Sequence, residues 1–392
     1  MDADFFISNR RSLSERIDGL VVLTAGKQMQ RCYDEAYRFE QEANFWYLTG
    51  INEPDWKLII HEGESVLVAP KISEISGIFN EHLDAKQALE ISGANSVIAE
   101  SELLDYLKSL TAKNAYTIFP QKQSDYEFQL NSSQNDLTKM LKKHFKNLND
   151  VRPNLNKLRA IKQKPEIMMM RRAINLTRSA FEIVKSELDS YNFEYEAQAR
   201  FSYEFERAGA SHAYDPIVAS GENAVTLHYN SNRDGLRQNE LVLMDVGASY
   251  GGYSADITRT HAFGEATERQ RAVHRAVKQA KDQIIDLLKP GKNVKEYLSE
   301  SDEIMREALK SLNLYESKDD FRKYYPHAIS HGLGIETHDP LGAPETFAAG
   351  MVLTVEPGIY IPEENIGVRL EDDILIKETG YENLSKLLSS EL

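Results

Sequence analysis

The chain has 392 residues, with 46 basic and 61 acidic side chains and a net charge of −15 at pH 7. This length allows two domains that each bury a core, and the 41% hydrophobic content excludes global disorder. The acidic balance argues against nucleic acid as a partner, because no basic stripe offsets the repulsion of phosphates. A single cysteine, Cys32, excludes an internal disulfide framework and indicates a reducing compartment.

The start of the chain shows no sign of export. Residues Met1 to Asp4 include two acids where a secretory signal would be basic. No apolar run approaches the roughly 20 residues that a membrane span requires. We therefore expect a cytoplasmic protein with no membrane partner.

The first part of the chain alternates β-type runs with helical stretches, which is the pattern of an α/β domain. Short apolar runs that begin at Leu20, Leu58 and Ser65 predict buried strands. Leucines spaced three or four apart between Ser101 and Leu110 predict a helix with one apolar face.

The apolar runs stop around residues 147–154, where asparagine, aspartate and proline indicate a loop. We place the domain boundary there, with an N-terminal domain over residues 1–155 and a second domain over residues 156–392. In the second domain, helices are predicted from Pro165 and over 194–208, from the Thr267 capping box to just before Pro290, and over 294–312. Strands are predicted over 241–247, 253–260, 351–355 and 367–376.

The second domain contains two predicted hairpins that each carry two acidic residues. In the first hairpin, Asp245 interrupts an apolar strand and Asp256 follows a turn at Tyr250-Gly251. A simple hairpin about that turn places the two aspartates directly opposite each other, with Cβ atoms about 4.5–5.5 Å apart.

The second hairpin repeats this arrangement with glutamates. Glu356 and Glu371 are equidistant from a turn at Glu363-Glu364, which follows Pro362. A bulge at Pro357-Gly358 could shift this pairing by one residue. The alternative for both hairpins is that the acids lie exposed on outward strand faces.

Four carboxylates on a half-buried sheet repel one another and require a cation. Two divalent ions balance the four charges, as in two-metal hydrolases. Three of the ten histidines, His327, His331 and His338, fall within twelve residues, and His331 precedes a glycine that allows close backbone approach. Four carboxylates and one imidazole suit Mn²⁺, Co²⁺ or Fe²⁺ better than a structural zinc site.

This set of acids with one histidine resembles the five metal ligands of the pita-bread metallopeptidases, a family that includes methionine aminopeptidase, Xaa-Pro aminopeptidase and Xaa-Pro dipeptidase: Asp245, Asp256, His331, Glu356 and Glu371. The strings around His228, Asp256, Glu356 and Glu371, together with residues 37–50, are similar to the proline-specific branch. The resemblance implies an α/β N-terminal domain followed by an α+β pita-bread (creatinase/aminopeptidase) catalytic domain.

The resemblance also implies an activity, namely removal of the N-terminal residue from peptides with proline in second position. In this interpretation Glu356 is both ligand and general base, and His228 and His338 hydrogen-bond the substrate carbonyl or the intermediate. Arg369 orients or neutralises a ligand carboxylate, and His327 flanks the prolyl pocket together with His338. The cofactor is two divalent ions, Mn²⁺ first, with Co²⁺, Fe²⁺ or Zn²⁺ as alternatives, and the assembly is a homodimer or homotetramer.

Two other functions fit parts of the pattern. An Xaa-Pro dipeptidase shares the ligand set, but many dipeptidases carry a basic insertion after the Glu-Pro-Gly motif, and Gly358 to Ile366 is short and has no lysine or arginine. A metal-free peptide-binding module shares the fold but lacks the metal ligands, whereas all five are present here. The sequence therefore favours the aminopeptidase.

Overall fold

The computed structural model describes residues 1–120 and 131–392. The chain divides into two compact units, Met1–Leu158 and Arg159–Leu392, so the division falls three residues after the predicted boundary. The loop predicted around 147–154 is wrong, because a strand and the start of a helix lie there. The strand forms because residues 148–150 pair in parallel with the preceding strand, a long-range contact that local polarity does not reveal.

The first unit is built on a mixed sheet whose described strands have the order β4-β3-β2-β1-β5-β6. The runs predicted from Leu20, Leu58 and Ser65 are confirmed as its three central antiparallel strands. Their side chains are almost fully buried, which explains why they read as continuous apolar runs. The strands are β1 (Leu20–Thr24), β2 (Lys57–His61), β3 (Glu64–Ala69), β4 (Ser96–Ala99), β5 (Ala115–Thr117) and β6 (Leu148–Asp150).

Helices connect these strands, and the one predicted between Ser101 and Leu110 is confirmed as a 3-10 turn followed by an α-helix, with Leu103 and Leu107 buried. The last helix begins in the first unit and ends in the second. The helices are α1 (Ala3–Ser14), α2 (Ala43–Thr49), α3 (Glu74–Phe79), α4 (Ala85–Ser92), α5 (Leu103–Ser109), α6 (Ser133–His144) and α7 (Arg152–Ala160).

The second unit contains the four predicted helices, all confirmed. Pro165 lies in the first turn of α8, and Thr267 caps α10 with Gln270 as predicted. A short additional helix precedes the histidine-rich segment. The helices are α8 (Lys164–Glu187), α9 (Glu194–Glu206), α10 (Glu268–Asp286), α11 (Val294–Ser311) and α12 (Lys318–Tyr324).

The strands of the second unit, which is described throughout, form small antiparallel sheets. Two of the four predicted strands are interrupted, at residues 255–256 and 370–371, and each interruption contains one of the predicted acidic ligands, Asp256 or Glu371. The strands are β7 (Ser211–His212), β8 (Ile217–Ser220), β9 (Glu240–Val246), β10 (Ala248–Tyr250), β11 (Tyr253–Ser254), β12 (Ile257–Phe263), β13 (Val352–Val355), β14 (Gly358–Ile361), β15 (Ile366–Arg369), β16 (Asp372–Ile376) and β17 (Tyr381–Asn383).

Two apolar clusters cover these sheets. Helices α8 and α9 pack on β8, β9, β10 and β12, whereas α10 and α11 pack on β13 to β16. Each hairpin that carries acids is therefore supported by its own pair of helices. Among the described residues, we find no helix with the length and apolarity needed to cross a membrane.

Candidate metal centre

The first hairpin turns one residue later than the sequence predicts. Gly251 and Gly252 form the turn, and both have the positive φ angles that a tight hairpin of this kind requires. The β9–β12 ladder consequently pairs Asp245 with Thr258, so the predicted direct pairing of Asp245 and Asp256 is wrong. Because side chains alternate with a period of two, a shift of two positions leaves both aspartates on the same face.

A tyrosine that the sequence analysis missed lies between these two aspartates. The hydroxyl of Tyr214 is 2.6 Å from Oδ1 of Asp245 and 2.7 Å from Oδ1 of Asp256. Burial and the charges of both aspartates raise the pKa of Tyr214 well above its usual value, so this phenol remains a hydrogen-bond donor. Tyr214 precedes both aspartates by more than 30 residues, and no local pattern marks it.

The second hairpin keeps the predicted register. Val355 pairs with Asp372 in the β13–β16 ladder, and the β14–β15 ladder continues with the same register. Glu356 and Glu371 lie opposite each other in the gap between the two ladders, where both strands are interrupted. The turn is a 3-10 helix, Pro362–Glu364, at the predicted position.

The four carboxylates are not on exposed strand faces, so that alternative is wrong. The side chains of Asp245 and Glu356 are 13% and 16% exposed. Asp256 and Glu371 are buried. Strand positions that face solvent would not remove four acids from water in this way.

His331 joins the two hairpins. Its Nε2 atom lies 3.4 Å from Oδ2 of Asp256 and 3.5 Å from Oε1 of Glu356. One ligand atom from each of Asp256, His331 and Glu371 fits within 4.8 Å of the others, which is close enough for one cation to contact all three. Asp245 is connected to this group through Tyr214.

The electrostatics of the cluster fit a cation. Burial, and then the other carboxylates of the cluster, raise the pKa of Glu371 well above its usual range and that of Glu356 to about 7. Burial also raises the pKa of Asp245, although Arg369 opposes this. Burial lowers the pKa of His331, but its hydrogen bond to Asp256 and the surrounding carboxylates outweigh burial and raise it to about 9. A buried site that holds protons this strongly has an excess of negative charge, which divalent cations can neutralise.

Arg369 contacts Asp245, one of the proposed metal ligands. Its Nη2 atom donates to Oδ2 of Asp245 at 2.6 Å, and its Nη1 atom donates to the hydroxyl of Tyr360 at 2.8 Å. Its Nε atom donates to Oγ1 of Thr258 at 3.2 Å. The Thr258 hydroxyl in turn donates to Oε2 of Glu371 at 2.7 Å. Arg369 is thereby held between the two hairpins.

His327 is at the edge of the same cluster. Its Nε2 atom is 3.0 Å from the Tyr360 hydroxyl, and its Nδ1 atom is 3.6 Å from Oε2 of Glu356. Burial and the positive charge of Arg369 lower the pKa of His327 to about 3, so the ring is neutral at physiological pH.

The other two predicted histidines lie nearby. The His338 ring centroid is 4.3 Å from that of His331, in an edge-to-face arrangement. Burial, followed by the charge of His331, lowers the pKa of His338. His228 lies in an exposed turn after the 3-10 helix Gly221–Val225, and its charge is among those that lower the pKa of His327 and His338.

Other groups that no sequence pattern indicated stabilise the backbone of the cluster. Oδ2 of Asp373 accepts a hydrogen bond from the backbone N–H of Asp256 at 3.3 Å. The guanidinium of Arg259 is fully buried and donates to the backbone carbonyl of Glu371 at 2.6 Å and to the carboxylate of Asp372 at 2.6 Å. These contacts fix the backbone of two proposed ligands, and only long-range packing creates them.

The fold and the cluster define a two-unit protein with a buried carboxylate and histidine site suited to divalent metals. Comparison with known families agrees with this description. Residues 168–378 match metallopeptidase family M24, and residues 6–119 match the aminopeptidase P N-terminal domain. The chain therefore belongs to metallopeptidase family M24. Its predicted fold, an N-terminal aminopeptidase P domain followed by a pita-bread catalytic domain, is confirmed.

Individual relatives resemble the chain over nearly its whole length. The Xaa-Pro aminopeptidase of Escherichia coli (strain K12) is 32% identical, covering 97% of this chain and 94% of the relative. A solved structure of aminopeptidase P from E. coli with the inhibitor Pro-Leu has a TM-score of 0.86 and 31% identity, covering 100% of this chain and 96% of that one. A zinc-substituted E. coli aminopeptidase P in complex with product has a TM-score of 0.86 and 29% identity, with the same coverage.

Proposed function

We propose that the protein is an Xaa-Pro aminopeptidase, which hydrolyses the first peptide bond of peptides that have proline in second position. The observation that carries this proposal is the buried group of Asp256, His331 and Glu371, with ligand atoms within 4.8 Å of one another, in a chain of the M24 family. Its relatives named Xaa-Pro aminopeptidase or aminopeptidase P cover both units, which supports the same substrate class.

The proposed metal ligands are the five residues of the cluster: Asp245, Asp256, His331, Glu356 and Glu371. When bound, two divalent ions would supply Lewis-acid polarisation of the scissile carbonyl and a water of lowered pKa. We propose Mn²⁺ as the working ion, with Co²⁺, Fe²⁺ or Zn²⁺ as alternatives, because the donors are mainly carboxylate oxygens.

Glu356 is the proposed general base. A buried carboxylate of the cluster that lies 3.5 Å from His331 can accept a proton from the attacking water. The water oxygen forms a bond to the carbonyl carbon, the C–N bond breaks, and Glu356 returns the proton to the leaving prolyl nitrogen. His228 and His338 would donate to the carbonyl oxygen as negative charge develops on it.

His327, Tyr360 and Arg369 form a hydrogen-bonded row beside Glu356, and we propose that they border the space for the prolyl residue. His327 is neutral and its Nε2 atom is engaged by Tyr360, so it offers an aromatic wall rather than a charge. The flat, neutral ring of His327 suits the rigid pyrrolidine ring, which has no N–H to satisfy.

Metal dependence tests the proposal most directly. Activity on a peptide that begins Xaa-Pro should be lost after treatment with chelator and restored best by Mn²⁺ or Co²⁺. Metal content is measured in parallel on protein purified without chelator. Full activity in the metal-stripped protein would exclude the proposed mechanism, and a protein that binds Xaa-Pro peptides without metal or hydrolysis would be a binding module.

Xaa-Pro dipeptidase is the second candidate within the family. Residues 358–369 form a closed hairpin of β14 and β15 around a short 3-10 turn, without the basic insertion that many dipeptidases carry. A dipeptide Xaa-Pro and a longer Xaa-Pro-peptide with the same first residue should be compared side by side. Faster cleavage of the longer peptide indicates the aminopeptidase, whereas cleavage of the dipeptide alone indicates the dipeptidase.

We also propose a homodimer or homotetramer, and light scattering on the metal-loaded protein should show a mass of two or four chains. A single chain of 44.6 kDa at micromolar concentration would contradict this. A cytoplasmic location remains a prediction, and cell fractionation tests it.

A further inference from the structure

His228 lies on a segment with little regular structure, residues 221–234, between β8 and β9. Apart from the short 3-10 helix at its start, this segment has no helix or strand among the described residues. An exposed histidine on an irregular segment would normally sample many positions, which is unsuitable for a group that must meet a substrate carbonyl. The segment is nevertheless held in place by hydrogen bonds to a buried carboxylate.

Glu194, the first residue of α9, is completely buried, and its two oxygens accept five hydrogen bonds from this segment and from the end of β8. Oε1 accepts from the backbone N–H and the hydroxyl of Ser220, both at 2.8 Å, and from Nδ2 of Asn223 at 3.1 Å. Oε2 accepts from the hydroxyl of Tyr229 at 2.8 Å and from the backbone N–H of Asp234 at 2.9 Å. One side chain therefore binds the segment at both ends and next to His228.

Asn232 is a second buried side chain that holds the segment in place by hydrogen bonds. Its Oδ1 atom accepts from the backbone N–H of Val218 at 2.9 Å, and its Nδ2 atom donates to the carbonyl of Pro216 at 2.8 Å and to Oε1 of Gln198 at 3.0 Å. Its side chain is fully buried and its φ angle is +48°, a conformation that asparagine tolerates better than most residues. The C-terminal half of the segment is thus fixed to β8 and α9.

The side chains on either side of His228 pack the same segment against residues next to the candidate site. Leu227 and Tyr229 pack on a small apolar cluster that includes Leu243 and Tyr360. The hydroxyl of Tyr360 is hydrogen-bonded to His327 and Arg369 in the proposed prolyl wall. The segment is therefore anchored on one side to Glu194 and on the other to the residues that border the substrate space.

We propose that Glu194 is a positioning residue for His228 and that it acts through Tyr229. The Tyr229 hydroxyl, held by Glu194, fixes the residue next to His228, so that the imidazole is ordered before substrate arrives. The cost of ordering the segment is met during folding rather than during the reaction. This inference rests on the proposed role of His228 as a donor to the substrate carbonyl.

Two variants test whether the hydrogen bonds of Glu194 position His228. Tyr229→Phe removes only the hydroxyl. Glu194→Gln keeps the shape of the side chain but leaves only one acceptor oxygen, whereas the five hydrogen bonds require both oxygens of the carboxylate. We expect kcat on an Xaa-Pro peptide to fall roughly tenfold for Tyr229→Phe and on the order of 10²-fold for Glu194→Gln, with KM changed less than about threefold. Bound metal should stay at the wild-type level, and amide hydrogen exchange across residues 226–234 should become faster. Tyr195→Phe, an exposed tyrosine adjacent to Glu194, is the matched control and should leave all of these unchanged.

A double-mutant cycle with His228→Ala tests whether Glu194 and Tyr229 affect turnover through His228. If Glu194 and Tyr229 act through His228, neither variant should change kcat by more than about twofold in the His228→Ala background. An undiminished loss in that background, or a loss explained by missing metal or unfolded protein, overturns the positioning role while leaving the proposed function intact. Wild-type turnover in His228→Ala alone would show instead that the proposed role of His228 is wrong.

Discussion

Asp256 lies between His331 and Tyr214, with Glu371 in the same group of potential ligand atoms. Asp256→Asn should remove metal from one or both sites while the fold stays intact, because asparagine keeps the shape of the side chain. Losing one charge from a buried acidic cluster also relieves repulsion between the carboxylates. The melting temperature of the metal-free variant should therefore be at most about 4 °C below that of wild type, or above it. Elemental analysis and thermal unfolding measure the two effects.

The matched control for this substitution is Asp282→Asn, on the exposed face of α10. It should keep wild-type metal content and rate. Wild-type metal and rate in Asp256→Asn itself would mean that the cluster of Asp256, His331 and Glu371 does not bind the ions.

His228 tests a different property of the site, because it is proposed to contact substrate and not metal. The structure places it in an exposed turn, which excludes a packing role in the core. His228→Ala should keep both ions and its melting temperature but lose about 10²–10³ in turnover, the usual cost of one donor to a developing oxyanion. His144→Ala, an exposed histidine on α6, should have no effect on rate. A parallel loss of metal would make His228 a ligand.

Among the structural elements, the β9–β12 hairpin controls where Asp256 lies. A Cβ at Gly247 would be 1.8 Å from the carbonyl oxygen of Ala255, the residue before Asp256. Gly247→Ala should therefore force the two strands apart, destabilise the protein by about 1–3 kcal/mol and weaken metal binding. Urea unfolding and metal titration measure these changes.

Gly77→Ala is the control for the glycine substitution. Gly77 lies inside α3 with an ordinary backbone conformation and room for a methyl group. Alanine there should leave metal binding unchanged and stabilise the protein by about 0.5–1 kcal/mol. If Gly247→Ala behaves in the same way, the close approach of the strands is not needed for the site.

The pH dependence of the whole molecule should contain a contribution from Glu166, a fully buried acid in the first turn of α8. Burial raises its pKa to about 7 from an ordinary value of 4.5, although hydrogen bonds from Gln163 and Tyr253 oppose this. The folded state therefore binds this proton more tightly than the unfolded state. Its contribution to stability is present below pH 4.5 and is lost as the pH rises to about 7, by about 3 kcal/mol in total.

Glu166→Gln removes this titration while keeping both hydrogen-bonding partners, since the amide can accept from one and donate to the other. Urea unfolding of the metal-free proteins should show the variant gaining stability relative to wild type between pH 5 and pH 7.5. Parallel stability curves for the two proteins would contradict the raised pKa. Working without metal separates this effect from the pH dependence of ligand binding.

Local sequence patterns were sufficient to locate several strands and the main helices of the second unit, and to identify the proposed ligands. Apolar runs and helical periodicity located β1 to β3 and α8 to α11, because burial of one face imposes those periods on the residues. Acids that interrupt apolar strands, such as Asp245, are costly unless they bind something, so they stand out without a structure. The resemblance to a metallopeptidase family rested on the same residues.

How those residues meet depends on contacts between distant parts of the chain. The turn at Gly251-Gly252 shifted the pairing of Asp245 and Asp256 by two positions, although the period of a strand kept both on one face. Tyr214 and Glu194 reach their partners over separations of 26 to 42 residues, and such contacts leave no periodicity in the chain. Local patterns record which side chains are buried, whereas the hydrogen bonds between buried groups depend on distances that packing alone sets.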